Sequence, residues 1–332
     1  MERRIRRLTV GGLRLFEDDT IAFGDGGPGP DLHLVVGDSG TGKTTLCHAL
    51  RLALYGTTPW VSAANVSLPR HMATDGPVSA TVAATVETDD ARHQVERTLT
   101  EETADGQGDA TVGPPRVDRW TGEDWTAVDD PSASARRLAP PETEAILVND
   151  PGLQRGAQPA GWAPVAQELL TAAAAGRSAS ETDTVTPPGL WDEFQQRVSA
   201  YVDIVGPAPR HAVELDAEPF GLRVSATGDS DAAVGGLPTG ASIQLGLAMT
   251  LAAGDCARLP QWFDVPFGRL DGDAAARAIE GFEVAARRRQ VVLLPHQGTF
   301  VEQQGLARNA ATAHRLELVA DHRARISGLE PN

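Results

Sequence analysis

The sequence predicts an α/β fold in which apolar strands alternate with helices, joined to a group of antiparallel strands near the N-terminus. Three observations predict it. An apolar strand pattern over 32–36 runs into Gly37-Asp38-Ser39-Gly40-Thr41-Gly42-Lys43-Thr44, and a helical pattern follows over 44–55. Two more apolar strand patterns, 261–264 and 290–294, bracket a helical pattern from 272 to 288, the rhythm of a sheet with helices on its faces. Segments 7–16, 20–23, 78–87 and 93–99 read as half-buried strands, most of them alternating apolar with polar residues.

Taken in order, strands 7–16 and 20–23 are followed by a Gly/Pro turn cluster at 24–30. The 44–55 helix closes at Gly56. Strands 78–87 and 93–99 pair through a turn at Asp89-Asp90. The stretch 100–141, rich in Gly, Asp, Pro and Thr, is expected to form loops around a short strand pair, and Ala145-Ile146-Leu147-Val148 a buried strand. A helix over 162–176 precedes a polar, turn-rich linker at 177–189, and a second helix runs from Trp191 to Val205. Trp191, Phe194 and Tyr201 are core candidates on that helix, while Trp120, Trp125 and Trp162 are expected beneath loops. Strands at 212–216 and 220–226 lead to a glycine turn, 235–240, that opens a long helix from Ala241 to about Ala257.

The length of 332 residues suits two domains or one large α/β domain, and a hydrophobic content of 41% can supply its core. The net charge of -16 and a single lysine suit a halophile's cytoplasm, because at about 1 M salt a Debye length of ~3 Å lets dense carboxylates coexist. A GC-rich genome also replaces Lys by Arg, and the acidity favours the first reading. Cys47 and Cys256 sit in apolar helical contexts and make neither a disulfide framework nor a metal site. The arginine-rich start runs straight into a strand pattern with no signal peptide, and no apolar run is long enough to span a bilayer, so a cytoplasmic, reduced protein is expected.

The chemistry begins with the sole lysine, Lys43. Its string fits G-x-x-x-x-G-K-[ST], a loop whose backbone cradles phosphates while the lysine reaches the β- and γ-phosphates. A point-charge ammonium survives only where a triphosphate needs it. Asp264 ends an apolar strand, where a carboxylate suits a magnesium site completed by the Thr44 hydroxyl. A later strand delivers His296 toward a terminal phosphate, and the glycine turn before the long helix offers free N–H groups to an anion. Arg3, Arg4, Arg6 and Arg7, with Arg287, Arg288 and Arg289, are candidates for DNA phosphates, although short arginine runs are more often solvated and the acidic charge opposes non-specific DNA binding.

This order of parts resembles the ABC-type ATPase heads of the SMC, RecF and DNA-repair class, over roughly 1–100 and 235–300. Asp264-Val265-Pro266-Phe267-Gly268-Arg269-Leu270-Asp271 looks most like the DndD ATPases of DNA phosphorothioation systems. The resemblance implies a P-loop NTPase head with a mixed central sheet flanked by helices and an antiparallel β subdomain. It implies ATP and Mg2+ as ligands: Gly37 to Thr45 around the triphosphate, Thr44 and Asp264 on the metal, Gln154 in the glutamine loop and His296 as the switch histidine. It further implies a homodimer on ATP binding, with Thr239, Gly240, Ser242 and Asp271 meeting the partner's nucleotide, and DNA and proteins of a modification or repair system as partners. The implied organisation is an N-terminal half-head at 1–160, a helical segment with linker at 161–211 and a C-terminal half-head at 212–332.

Three departures bear on activity. Val265 stands where most of the class place the glutamate that orients water, and a missing general base typically costs ~10²–10⁴ in rate. The signature turn reads Leu237-Pro238-Thr239-Gly240-Ala241, and Pro238 removes a hydroxyl and an N–H donor, leaving Thr239 and Ser242 as the hydroxyls at hand. The long coiled coil usual between the halves is replaced by about sixty residues. The expectation is a slow ATPase; the alternative is a nucleotide-gated regulatory or assembly protein with little turnover.

Overall fold

The computed structural model describes residues 2–13, 15–24, 29–57, 78–101, 110–149, 163–177, 189–206, 211–215, 222–226, 232–233, 239–268, 270–296, 305–319 and 323–328. An antiparallel sheet is built from β1 (Arg3–Leu13), β2 (Phe16–Ala22), β4 (Val78–Thr88), β5 (Arg92–Glu101), β6 (Ala110–Val112), β7 (Arg116–Trp120) and β8 (Trp125–Ala127). Its path runs β2-β1-β4-β5-β7-β8, with β6 pairing β5. The β4–β5 hairpin turns at 89–91, as the Asp-Asp signal predicts.

The second sheet is mixed. It contains β3 (Leu32–Gly37), β9 (Val148–Asn149), β13 (Gln261–Asp264), β14 (Val291–Leu294), β15 (Thr312–Val319) and β16 (Arg323–Gly328) in the order β16-β15-β3-β14-β13-β9. All its pairings are parallel except β15–β16. The strand before the glycine loop is therefore flanked by β14 and β15, which come from the far end of the chain. A small third sheet holds β10 (His211–Leu215), β11 (Leu222–Ala226) and β12 (Ala232–Ala233).

Both faces of the mixed sheet are covered, which is why its strands read as unbroken apolar runs rather than alternating ones. Val35, Val292, Leu294 and Trp262 face α1 (Lys43–Tyr55) and the antiparallel sheet. Leu34, Val36, Leu293 and Phe263 face a helical layer of α4 (Ala163–Arg177), α5 (Leu190–Val205), α6 (Thr239–Ala257) and α7 (Gly272–Ala286). Sandwiched between two sheets, α1 buries nearly all its residues from Lys43 to Leu54. It stops at Gly56, whose φ of 73° is left-handed and whose N–H caps the Leu52 carbonyl.

In the helical layer α6 lies between α4 and α5 and is apolar on most faces, with Ala248, Ala252 and Ala253 fully buried. Small residues set the spacing: a Cβ at Gly281 of α7 would lie 2.3 Å from Val205 Cγ1 of α5. One polar cluster crosses this layer. Asp255, with a side chain 1% exposed, accepts from Arg288 Nη1 at 2.5 Å and from Tyr201 Oη at 3.1 Å, and pairs with the buried Arg289. Arg289 donates to Gln261 Oε1 at 2.5 Å, and Gln261 Nε2 donates to the Thr250 carbonyl at 2.8 Å. The cluster ties the first residue of β13, the strand that ends at Asp264, to α6.

Several expectations change. Residues 144–147 form α3 (Glu144–Leu147), and only Val148–Asn149 pairs as strand β9. Apolarity alone does not separate a buried helical turn from a strand, and this one is docked on α4 and α6. The 100–141 stretch carries a further helix, α2 (Pro131–Leu138), capped by Asp130, whose carboxylate accepts from Ala133 N at 3.0 Å. The short α8 (Leu306–Asn309) and the β15–β16 pair extend the fold past His296. Phe194 and Tyr201 are core residues and the partly buried Trp191 packs against them, whereas Trp125 is 41% exposed on the edge strand β8, its ring tilted beside that of Trp120. Trp162 lies outside the described residues. Both cysteines are buried and neither is in a disulfide, and burial pushes the Cys256 thiol up to about 12. Among the described residues no helix is long and apolar enough to cross a membrane.

Candidate functional site

The site lies where the parallel strands β3, β13 and β14 end together. Gly37 closes β3, and the loop turns through Gly40 (φ 83°) and Gly42 (φ 102°), both in the left-handed region that favours glycine. A Cβ on Gly37 would sit 2.6 Å from Thr41 Oγ1 and 2.8 Å from the Leu316 carbonyl; one on Gly42 would sit 2.8 Å from the Phe16 ring. The loop is thus clamped by β15 and by the start of β2. Asp38, Ser39 and Gly40 are exposed, while Thr41 and Thr45 are buried on the inner side. No side chain caps the start of α1 and no acidic residue occupies its first turn. Its N–H groups and positive dipole end are left for an anion.

Lys43 Nζ folds back onto the loop, donating to the carbonyls of Gly37 at 2.5 Å and Asp38 at 2.7 Å. Burial pushes the ammonium below the usual lysine range, and the neighbouring Asp264 and Asp38 offset part of that. Thr44 Oγ1 donates to Asp264 Oδ2 at 2.5 Å across 220 positions of sequence. A hydroxyl and a carboxylate in contact form a hard-oxygen pair of the kind Mg2+ prefers. An ammonium, left-handed glycines and uncapped amides beside that pair fit a magnesium-bound polyphosphate.

The turn after β13 is unusual. Val265 has φ 49°, a genuine outlier for a β-branched residue that costs roughly 1–2 kcal/mol. It is held by Val265 N donating to the Leu294 carbonyl at 3.1 Å and Gly268 N donating to the Val265 carbonyl at 3.2 Å. The turn after Asp264 is thus fixed to β14 through the Val265 amide and to its own next residues through the Val265 carbonyl. Asp271 is the N-cap of α7, accepting from Ala274 N at 2.8 Å. His296 is exposed two residues beyond β14, at the same sheet edge as Gly37 and Asp264.

The other predicted site residues fall elsewhere. Thr239 and Gly240 form the first turn of α6, with Gly240 exposed and Ser242 buried. Gln154, like Leu237 and Pro238 of the glycine turn, lies outside the described residues. Of the arginines, Arg3 and Arg289 are buried on backbone carbonyls, Arg4 pairs with Asp31, Arg6 with Glu87 and Arg288 with Asp255; Arg7 and Arg287 are exposed. Sequence reasoning missed Phe16 and Leu316 as supports of the loop, since neither carries a local signal. It also missed the cap role of Asp271, which an Asp just ahead of a helical pattern does signal.

Residues 7–120 match a family model described as an AAA domain. The SMC head domain from Thermotoga maritima superposes with a TM-score of 0.60 at 16% identity, over 98% of this chain and 99% of that one. An SMC head bound to the C-winged helix domain of ScpA gives 0.67 at 13% identity, over 98% of each chain. A Pyrococcus furiosus SMC head with an extended coiled coil, bound to the C-terminal domain of ScpA, gives 0.63 at 13%, over 99% of this chain and 96% of that one. At such identities the likeness is one of fold: the chain has the fold of the SMC head domains. No curated protein sequence matches it significantly.

Proposed function

We propose, on the premise of that head fold, that the chain binds ATP with Mg2+ and that nucleotide drives two heads together. The contact between Thr44 and Asp264, beside the only lysine in the chain, carries the reading. Lys43 would leave the Gly37 and Asp38 carbonyls for the β- and γ-phosphates, exchanging two hydrogen bonds to neutral oxygens for contacts with charged ones. Thr44 and Asp264 would hold the metal, the latter directly or through water. When bound, Mg2+ neutralises phosphate charge in the ground and transition states.

Turnover is expected to be slow. Valine at 265 offers no proton acceptor. His296 would contact the terminal phosphate, and the start of α6 around Thr239 and Gly240 would meet the partner's nucleotide, with Asp271 and Ser242 near that contact. The glutamine-loop role stays with Gln154. A role in DNA metabolism, and more narrowly in DndD-like, modification-linked defence, follows from the 264–271 turn and rests on analogy. A nucleotide-gated regulatory protein without useful turnover is the second reading, favoured by Val265 and Pro238.

Calorimetry with ATP and Mg2+ tests binding. Lys43→Ala should abolish it, and Asp264→Asn should leave ATP binding while removing its magnesium dependence; an unaltered isotherm for Lys43→Ala would sink the proposal. Light scattering should show doubling of mass with ATP. A single-turnover rate equal to that of Lys43→Ala selects the regulatory reading.

A further inference from the structure

A cleft of about 450 Å³ lies between β5, β7 and α2, at the opposite end of the antiparallel sheet from the glycine loop. The separation follows from β1. Its Leu13 end pairs with Phe16, which covers Gly42, while its Arg3 end pairs with Thr88 at the mouth of the cleft. Eleven residues of strand put the two ends about 30 Å apart.

Two guanidinium groups line this cleft, Arg119 of β7 and Arg137 of α2. Neither makes an ion pair among the described residues, and Arg137 reaches only Ser134 Oγ, at 3.4 Å. His93 of β5, the cross-strand partner of Arg119, lies between them, and its Nδ1 is buried with no hydrogen-bond partner among the described residues. Burial first, then Arg119 and Arg137, hold the His93 imidazole below its usual range. Hydrogen bonds anchor α2 at both ends. Asp130 caps α2 at one end, and the buried Arg3 donates to the Arg137 carbonyl at the other, at 3.0 Å, and to the Gly176 carbonyl of α4 at 2.8 Å.

Three carboxylates share the lining. Asp130 is committed to its cap, and Asp90 and Asp129 are exposed, as are Arg119 and Arg137, so water screens all four of these charges and an anion is held only through direct guanidinium contacts. On a chain of net charge -16, a broad phosphate-tracking surface is disfavoured, but a discrete two-arginine pocket suits a single tetrahedral oxyanion. We propose that this cleft binds one phosphate group, presented either as free phosphate or by a nucleic-acid strand, remote from the nucleotide loop.

The test uses the full chain carrying Lys43→Ala, so that the glycine loop does not contribute. Inorganic phosphate is titrated at constant ionic strength while the His93 ring resonances are followed by NMR. A saturable shift is expected. Arg119→Ala with Arg137→Ala should weaken it about tenfold or more, since each change removes a charge-assisted hydrogen bond to the anion. Arg136→Ala, which removes one charge from the same helix outside the cleft, should leave it unchanged. The two arms then use a 5′-phosphorylated oligonucleotide and its unphosphorylated twin. Saturation by inorganic phosphate alone assigns the site to free phosphate, and saturation by either oligonucleotide assigns it to nucleic acid, at a terminal phosphate if only the phosphorylated one binds. A His93 signal indifferent to all three, or a shift that survives loss of both arginines, overturns the proposal.

Discussion

Removing Asp255 should unfold this protein far more readily than its distance from the site suggests. Its side chain is 1% exposed and faces Arg289, whose own side chain is 1% exposed. Burial holds the Arg289 guanidinium down to about 10, so the group is still charged at neutral pH. Asp255→Ala strands that charge, and breaking a buried pair by removing one partner costs about 3–5 kcal/mol. For a 332-residue chain the unfolding entropy is near 0.7 kcal/mol per degree, so the loss corresponds to roughly 4–7 °C in Tm. Arg288→Ala is the control: it contacts the same carboxylate, but its side chain is 45% exposed, and its loss should cost at most about 1 kcal/mol. Replacing Asp255 and Arg289 together by apolar residues should cost less than the sum of the single changes. Urea unfolding followed by circular dichroism measures all four. The reasoning fails if Asp255→Ala lies within about 1 kcal/mol of the parent, or if it matches Arg288→Ala.

Gly281→Ala should destabilise by about 1–3 kcal/mol in the same assay, because its methyl would meet Val205 across a tight helix crossing. The His93 ring should titrate below the ordinary histidine value, and Arg119→Ala should raise its midpoint, as read by NMR. The linkage has a definite sign. The unfolded chain takes up this proton first, so the stability tied to a neutral His93 is complete above the unfolded value and is lost as pH falls through the window beneath it. Melting temperature should climb with KCl if the acidic surface reflects a salty interior; equal stability at low salt would remove the halophile reading.

The strand–loop–helix around Lys43 was legible because every level of the sequence agreed there: apolar run, glycines, a lone lysine, then a helical period. The strands ending at Asp264 and before His296 were legible for the same reason. Residues 144–147 were not, since four apolar-leaning residues fit a strand or a helical turn equally well and only packing on α4 and α6 decides. The missing β15–β16 pair matters more, since β15 flanks β3 and its Leu316 carbonyl closes on Gly37. Its register pattern is mostly half-exposed, so hydrophobic periodicity gives it a weak signal. The basic runs misled in another way: composition marks Arg3 and Arg289 as surface cations, while the fold buries both against carbonyls.

By itself the sequence determined which groups carry charge and which backbone positions need glycine: one ammonium, one strand-terminal carboxylate, one loop able to adopt left-handed turns. These are local properties, fixed by residue type and spacing. Only the tertiary structure decided that Thr44 and Asp264 touch, that Val265 turns through a left-handed conformation, and that Arg119 and Arg137 share a cleft with His93. Each of those joins or bends segments through pairing and packing whose partners lie elsewhere in the chain.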